Sequence, residues 1–211
     1  KQFIENASHE LQTPLAIVRG KVELLAENEE LTEQQMKELD DIYSTLGRAV
    51  KLNKSLLLLS RIENGQYTEC ENVSVDEILD NLLPDLMDIY EHKQVRLIRK
   101  QDKQPFMIRC NHSLAQILIS NLVKNALLHN QKGGELQVLT TPNSLVIKNT
   151  GDKALDKDKL FHRFYHSVDG KKDSTGLGLA IAHSIAHSFS LELTYEWTAG
   201  MHCFCLLKKL K

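Results

Sequence analysis

Near its N-terminus the chain repeats apolar side chains in steps of three and four: Phe3, Ala7, Leu11, Leu15, Val18, Val22 and Leu25. A second stripe runs through Leu39, Ile42, Leu46, Ala49, Asn53 and Leu56. This period suits amphipathic helices with narrow buried faces and excludes strands, which repeat every two residues. Between the stripes "AENEELTEQQ" breaks the pattern, and Thr32 with Gln35 three residues on reads as an N-cap and capping box. The second stripe ends at "RIENGQ", where Gly65 suits a helix stop. Two long helices on a short loop make an antiparallel hairpin. One hairpin cannot bury both stripes, whereas two copies form a four-helix bundle, so a homodimer is expected. A charged coiled coil serving only as a spacer is the alternative.

From about residue 70 the period changes. "VSVDEILDNLLPDLMDIYEHK" reads as a helix started by Ser74 or Asp76 and bent at Pro84. "QVRLIRK" and "FMIRC" read as strands, and "NHSLAQILISNLVKNALLHN" as a strongly apolar helix. "ELQVLTTP" and "SLVIKNT" pair across Pro142–Asn143. Residues 151–175 are polar, rich in Gly, Asp and Lys, and too long for a simple turn, which marks a functional loop. "GLGLAIAHSIAHSF" is a helix, and "LELTYEWTAG" with "MHCFCLLKKL" closes the chain as a hairpin. Helices with mostly antiparallel strands give an α/β layer sandwich. The expected domains are 1–67 and 68–211.

Composition narrows the partners. A net charge of −2 gives no support for nucleic-acid binding driven by bulk charge. No apolar run approaches the roughly 20 residues that span a bilayer. The first residues are polar and already helical in pattern, so they do not read as a signal peptide, and the abrupt start suggests a piece of a longer protein. Cys70, Cys110, Cys203 and Cys205 form no CxxC, which points to a reducing cytoplasm. Cys203 and Cys205 share one strand face and are read as core thiols rather than a metal half-site.

The chemistry begins at "SHELQTP" (8–14). His9 lies two residues from both Ala7 and Leu11, about 200° around the helix from the stripe, and so faces solvent. Glu10 can hydrogen-bond the ring or take its proton, favouring a neutral imidazole with one nucleophilic nitrogen. Thr13, at i+4 from His9, can hold a water on the same face. Pro14 lacks an N–H, so the Glu10 carbonyl loses its helical partner and the helix can bend. Further on, Asn121, Asn125 and His129 are spaced i, i+4, i+8 along one helix face. Amides suit Mg²⁺ and phosphate oxygens without adding negative charge. Gly176 and Gly178 stand where the polar loop enters a helix, and backbone N–H groups there favour anions. The pairs His162/His166 and His183/His187 have zinc-like spacing, but nothing local completes either set.

These motifs resemble those of bacterial sensor histidine kinases. "SHELQTP" resembles their H-box, "NLVKNALLHN" (121–130) their N-box, "LFHRFYHS" (160–167) their F-box and "STGLGLAI" (174–181) their G2 box, in the same order over nearly the whole chain. The resemblance implies a dimerisation and histidine-phosphotransfer hairpin followed by a Bergerat-type ATP-binding domain. It implies transfer of the γ-phosphate of ATP to His9 and on to an aspartate in the receiver domain of a response regulator. Glu10 would act as base or orienter, and Thr13 would align a water for dephosphorylating that regulator. Asn125 would be the Mg²⁺ ligand, Asn121 a phosphate-side contact and His129 part of the nucleotide pocket. Thr175, Gly176, Leu177 and Gly178 would close the ATP lid, with Phe161 and Phe164 anchoring it. The usual N-box lysine is Leu128 here, so Arg163 or His166 is expected to balance phosphate charge.

The departure is "IKNTGDK" (147–153), where the family reads Asp-x-Gly-x-Gly. Asn149 replaces the Asp, Gly151 is kept, and Lys153 replaces the second Gly. Asn149 still offers an amide oxygen to an adenine amino group but loses the charge-assisted part of that bond. The alternative is therefore a degenerate kinase acting mainly as a regulator-binding scaffold or phosphatase. The family also leads one to expect the cytoplasmic portion of an inner-membrane sensor, anchored through an upstream segment.

Overall fold

The two stripes become α1 (Gln2–Ala26) and α2 (Glu33–Glu63) in the computed structural model of the chain. Residues 2–27, 31–165 and 175–209 are described, residues 2–10 by their helical backbone alone. α2 starts at the expected capping box: the Gln35 N–H donates to the Thr32 hydroxyl at 3.3 Å, and Gln35 Oε1 accepts the Thr32 N–H at 2.9 Å. It ends at Asn64, and Gly65 takes φ +67°, a left-handed conformation that glycine adopts without a Cβ clash. Tyr43 ties the hairpin together, donating to Glu23 at 3.0 Å beneath the Arg19 guanidinium, which lies 4.8 Å from its ring centre. One hairpin leaves its stripes open. Val22 is buried, while Leu11 stays 53% exposed and Leu25 56% exposed.

The last turns of α2 belong to a different core. Leu59 and Ile62 pack with the buried residues of the α/β domain. That domain runs β1 (Glu71–Ser74), α3 (Val75–Ile89), a 3₁₀ turn (Glu91–Lys93), β2 (Arg96–Gln101), β3 (Met107–Cys110), α4 (His112–Leu128), β4 (Glu135–Thr141), β5 (Ser144–Thr150), α5 (Gly178–Ser188), β6 (Leu191–Thr198) and β7 (Met201–Lys208). The sheet order is β2-β4-β5-β7-β6, with β2 parallel to β4 and the other pairs antiparallel. Alternation sets its faces. Leu136 and Val138 of β4, Leu145 and Ile147 of β5, and Leu206 of β7 point into one core with α3, α4 and α5.

Cys203 and Cys205 lie on the opposite, half-exposed face, so the expectation of core thiols fails for them. Cys110 is the buried thiol, and burial pushes its pKa up to about 12. β1 was not anticipated: it pairs with β3 before Ser74 caps α3, accepting the Glu77 N–H at 3.3 Å. Asp76, at the start of α3, stitches the layers together. Its carboxylate accepts the Phe106 N–H at 2.8 Å, the Thr140 hydroxyl at 2.5 Å and Arg99 at 2.5 Å. Burial would raise its pKa, but these partners outweigh that and hold it below the usual carboxylate range.

Candidate functional site

The wall of the site is α4. Asn111 caps it, accepting the Leu114 N–H at 3.2 Å, and the helix then presents Asn121 and Asn125 half-buried and one turn apart. His129 follows Asn125 by one turn at the end of the helix. It is the C-cap, at φ −94° and ψ 4°, with its N–H on the Asn125 carbonyl at 3.0 Å. Below this end the buried Lys93 ammonium donates to the carbonyls of Leu127 at 2.7 Å, Asn130 at 3.0 Å and Leu128. A cation there suits the negative end of the helix. A lone lysine in "EHKQV" gave no signal of this role.

The floor is the end of β5. Asn149 is 1% exposed, and its Nδ2 donates to the Thr150 carbonyl at 3.1 Å. Its Oδ1 is buried with no hydrogen-bond partner among the described residues. An unmet buried acceptor costs about 1–3 kcal/mol, so this oxygen stands open to a donor beyond the described residues. Gly151 follows, and a Cβ there would sit 2.2 Å from His202 Nε2. His202 faces Asn149 across the β5–β7 register and places Nδ1 2.9 Å from the Tyr195 hydroxyl, which accepts the Leu155 N–H at 3.0 Å. Neither His202 nor Tyr195 was singled out from sequence. The available signal was a histidine in phase with Phe204 and Leu206 on a strand's inner face.

The third side is the start of α5. Gly178 opens the helix, and a Cβ there would lie 3.2 Å from Asn121 Oδ1, so the missing side chain lets the helix N-terminus approach the amide. Leu177 is fully buried and anchors this turn, and Thr175 and Gly176 are half-buried beside it. The Gly176 carbonyl accepts the Phe164 N–H at 2.9 Å. Phe161 packs as expected, stacked on His183 at 4.9 Å. Phe164 does not: it is 52% exposed and left-handed at φ +62°. Arg163 is ion-paired with Glu63, the last residue of α2, in place of the phosphate-facing position expected for it. His166 lies outside the described residues.

On the hairpin, the side chains of His9 and Glu10 lie outside the described residues, while their backbone is helical. Thr13 is exposed one turn later, and α1 continues through Pro14. Among the described residues no group of three or more His, Cys, Asp or Glu stands ready for a metal ion. The wall instead carries neutral amide oxygens, which fit a hard divalent cation that keeps waters and phosphate oxygens as its other ligands. A groove of about 770 Å³ runs between α3 and α4 from Glu71 to Lys124 and touches this site only at Asn121.

Comparison with known proteins agrees with both halves. Residues 1–65 match the His Kinase A (phospho-acceptor) domain, and residues 110–210 match the histidine kinase-, DNA gyrase B-, and HSP90-like ATPase domain. The chain is 31% identical to the heme sensor protein HssS of Staphylococcus saprophyticus, matching over 100% of this chain and 47% of that protein. It is 30% identical to the sensor histidine kinase TrcS of Mycobacterium tuberculosis, over 97% and 42% respectively. Among solved structures, the Acinetobacter baumannii histidine kinase AdeS superposes with a TM-score of 0.66 at 22% identity, covering 96% of this chain and 98% of that one. ShkA, solved in complex with AMPPNP, superposes at 0.75 and 19% identity, covering 100% of this chain and 47% of that one. The chain spans less than half the length of these two curated relatives.

Proposed function

The chain belongs to the bacterial sensor histidine kinases, and from that membership we propose that it phosphorylates itself on His9 from ATP and passes the phosphoryl group to an aspartate in a response regulator's receiver domain. The observation that carries the ATP reading is the Asn149 Oδ1. It is buried, without a partner among the described residues, and held in place by the Nδ2 bond to Thr150, which suits an amino-group donor such as that of adenine. A base anchored there leaves its phosphates for the wall of Asn121 and Asn125 and the N-terminus of α5 at Gly178.

Mg²⁺ held by the Asn125 amide oxygen would supply charge neutralisation at the β- and γ-phosphates. The chain's own residues do the rest by placement, as phosphoryl transfer demands. Asn121 and the α5 N–H groups orient the triphosphate. Glu10 holds the proton on one imidazole nitrogen of His9, leaving the other to attack phosphorus. An N–P bond forms as the bridging P–O bond breaks, and ADP leaves. Thr13 aligns a water for the reverse service, hydrolysis of the regulator's phosphoaspartate. The open stripes of α1 and α2 close in a homodimer's four-helix bundle. The full-length protein is expected to hold this segment on the cytoplasmic side of a membrane through an upstream anchor. No helix among the described residues is long and apolar enough to cross a membrane.

Incubation with γ-labelled ATP and Mg²⁺ tests the kinase reading. His9→Ala abolishes acid-labile label while nucleotide binding persists; normal labelling of that variant overturns the site. The uncharged Asn149 favours a second reading, a scaffold that binds the regulator without catalysis. A scaffold incorporates no label in the wild type.

A further inference from the structure

His202 lies under the site without belonging to any motif that carries the kinase reading. It is buried on β7, directly across from Asn149. Its ring fills the space a side chain on Gly151 would need, because a Cβ there would meet Nε2 at 2.2 Å and Cδ2 at 2.5 Å. The Gly151 N–H in turn donates to the Gly200 carbonyl at 3.1 Å, so the turn after β5 rests on the β6–β7 turn with His202 beneath it.

The hydrogen bonds point to one place for the ring's proton. Tyr195 already accepts the Leu155 N–H at 3.0 Å, and its own hydroxyl hydrogen remains to be given away. His202 Nδ1, 2.9 Å off, is the acceptor placed to take it. Nδ1 is then the acceptor and Nε2 carries the hydrogen toward Gly151. The chain of contacts Leu155–Tyr195–His202–Gly151 thus joins the first residues of the polar loop to the turn beside Asn149.

We propose that His202, neutral and protonated on Nε2, is a positioning residue for the nucleotide site, holding the Gly151 turn and the start of the lid so that Asn149 Oδ1 stays set for the base. This rests on the nucleotide reading above. A second proton on the ring turns Nδ1 from acceptor into donor. Tyr195 must then accept two N–H groups and find a new acceptor for its own hydrogen in a pocket walled by Trp197, whose ring lies 4.9 Å from the imidazole. The ionisable groups about the ring are Tyr195 from β6, with Tyr165 near it, and Asp152 after β5. Burial lowers the His202 pKa from the ordinary histidine value, against an opposing pull from Asp152. The neutral ring is therefore complete above the ordinary value and is lost as pH falls through the lowered one.

The test is calorimetric titration of the full chain with ATP and Mg²⁺ between pH 5.5 and 8, for the wild type, His202→Asn and Tyr195→Phe. The wild type should lose affinity by about threefold or more toward the acid end, the scale of a partly titrating shifted group. His202→Asn keeps an oxygen acceptor for Tyr195 and cannot titrate, so it should lose clearly less affinity than the wild type toward the acid end and bind near the wild-type value at pH 8. Tyr195→Phe should bind more weakly at neutral pH, with retained circular dichroism. Nitrogen-15 shifts of the imidazole in the wild type should report the Nε2–H tautomer at pH 7. An unchanged acid slope in His202→Asn, or the Nδ1–H tautomer, overturns the role of His202 alone. No binding by the wild type at any pH overturns the nucleotide reading and this role with it.

Discussion

Asn149 separates two quantities that usually move together. Its Oδ1 is desolvated and without a partner among the described residues, so the amide is a local cost in the fold and a gain in the complex. Asn149→Ala should leave the melting temperature unchanged or raised while nucleotide affinity falls about tenfold, the worth of one buried hydrogen bond. Differential scanning fluorimetry and nucleotide titration on the same sample check both signs. Asp76 behaves in the opposite way. It is almost fully buried and bonded to Phe106, Thr140 and Arg99, so Asp76→Ala strips the buried partner from all three, leaving Arg99 the exposed Asp80 carboxylate at 3.9 Å, at a cost of about 3 kcal/mol. Its lowered pKa sets the sign with pH. The contribution is complete above the unfolded value near 4 and is lost as pH falls through the folded value, which urea melts at pH 7 and pH 3 will show. What the sequence disclosed at this scale was local. Thr32 and Gln35 stand three residues apart, and their mutual capping follows from that spacing. His202 acts through Asn149, Gly151, Tyr195 and Leu155, which only the β5–β7 and β6–β7 registers bring together.

Among the elements, the helices were the legible part, because a 3.6-residue period survives in any window of one helix. The short β1 was hidden: its burial pattern runs exposed, exposed, buried, buried, and its partner β3 comes more than thirty residues later. The stripes on α1 and α2 make a direct prediction. Leu11, Val18, Leu25 and Ile42 are exposed in one chain, so Val18→Asp with Ile42→Lys should shift sedimentation from dimer toward monomer and leave the α/β domain folded. The segment before the lid makes a smaller one. Arg163 and Glu63 are both partly exposed, so Glu63→Gln should change global stability by under about 1 kcal/mol. It should still raise protease cleavage between residues 160 and 165, read by mass spectrometry. This pair joins residues a hundred positions apart, and no local pattern announces it.

At the scale of the molecule, α2 is shared. Its middle carries the hairpin stripe, and Leu59 and Ile62 are buried in the α/β core. A fragment beginning at residue 68 gives up both side chains, worth about 1.5–3 kcal/mol each when fully buried, and should melt below one beginning at residue 55. Thermal melts of the two fragments side by side decide it. Because α2 has 31 residues, it is a rod about 46 Å long at 1.5 Å per residue. One end is laid against α1, and the other is keyed into the nucleotide domain. The seat is not solid: a cleft of about 440 Å³ opens between Ile62, Glu63 and Tyr67 on one side and Leu114, Ser184 and Phe189 on the other. Turning such a rod about its own axis moves Ile62 around the seat like a cam. Leu59 and Ile62 thus couple the end of the hairpin to the domain by direct packing, besides the chain connection through residues 64–70.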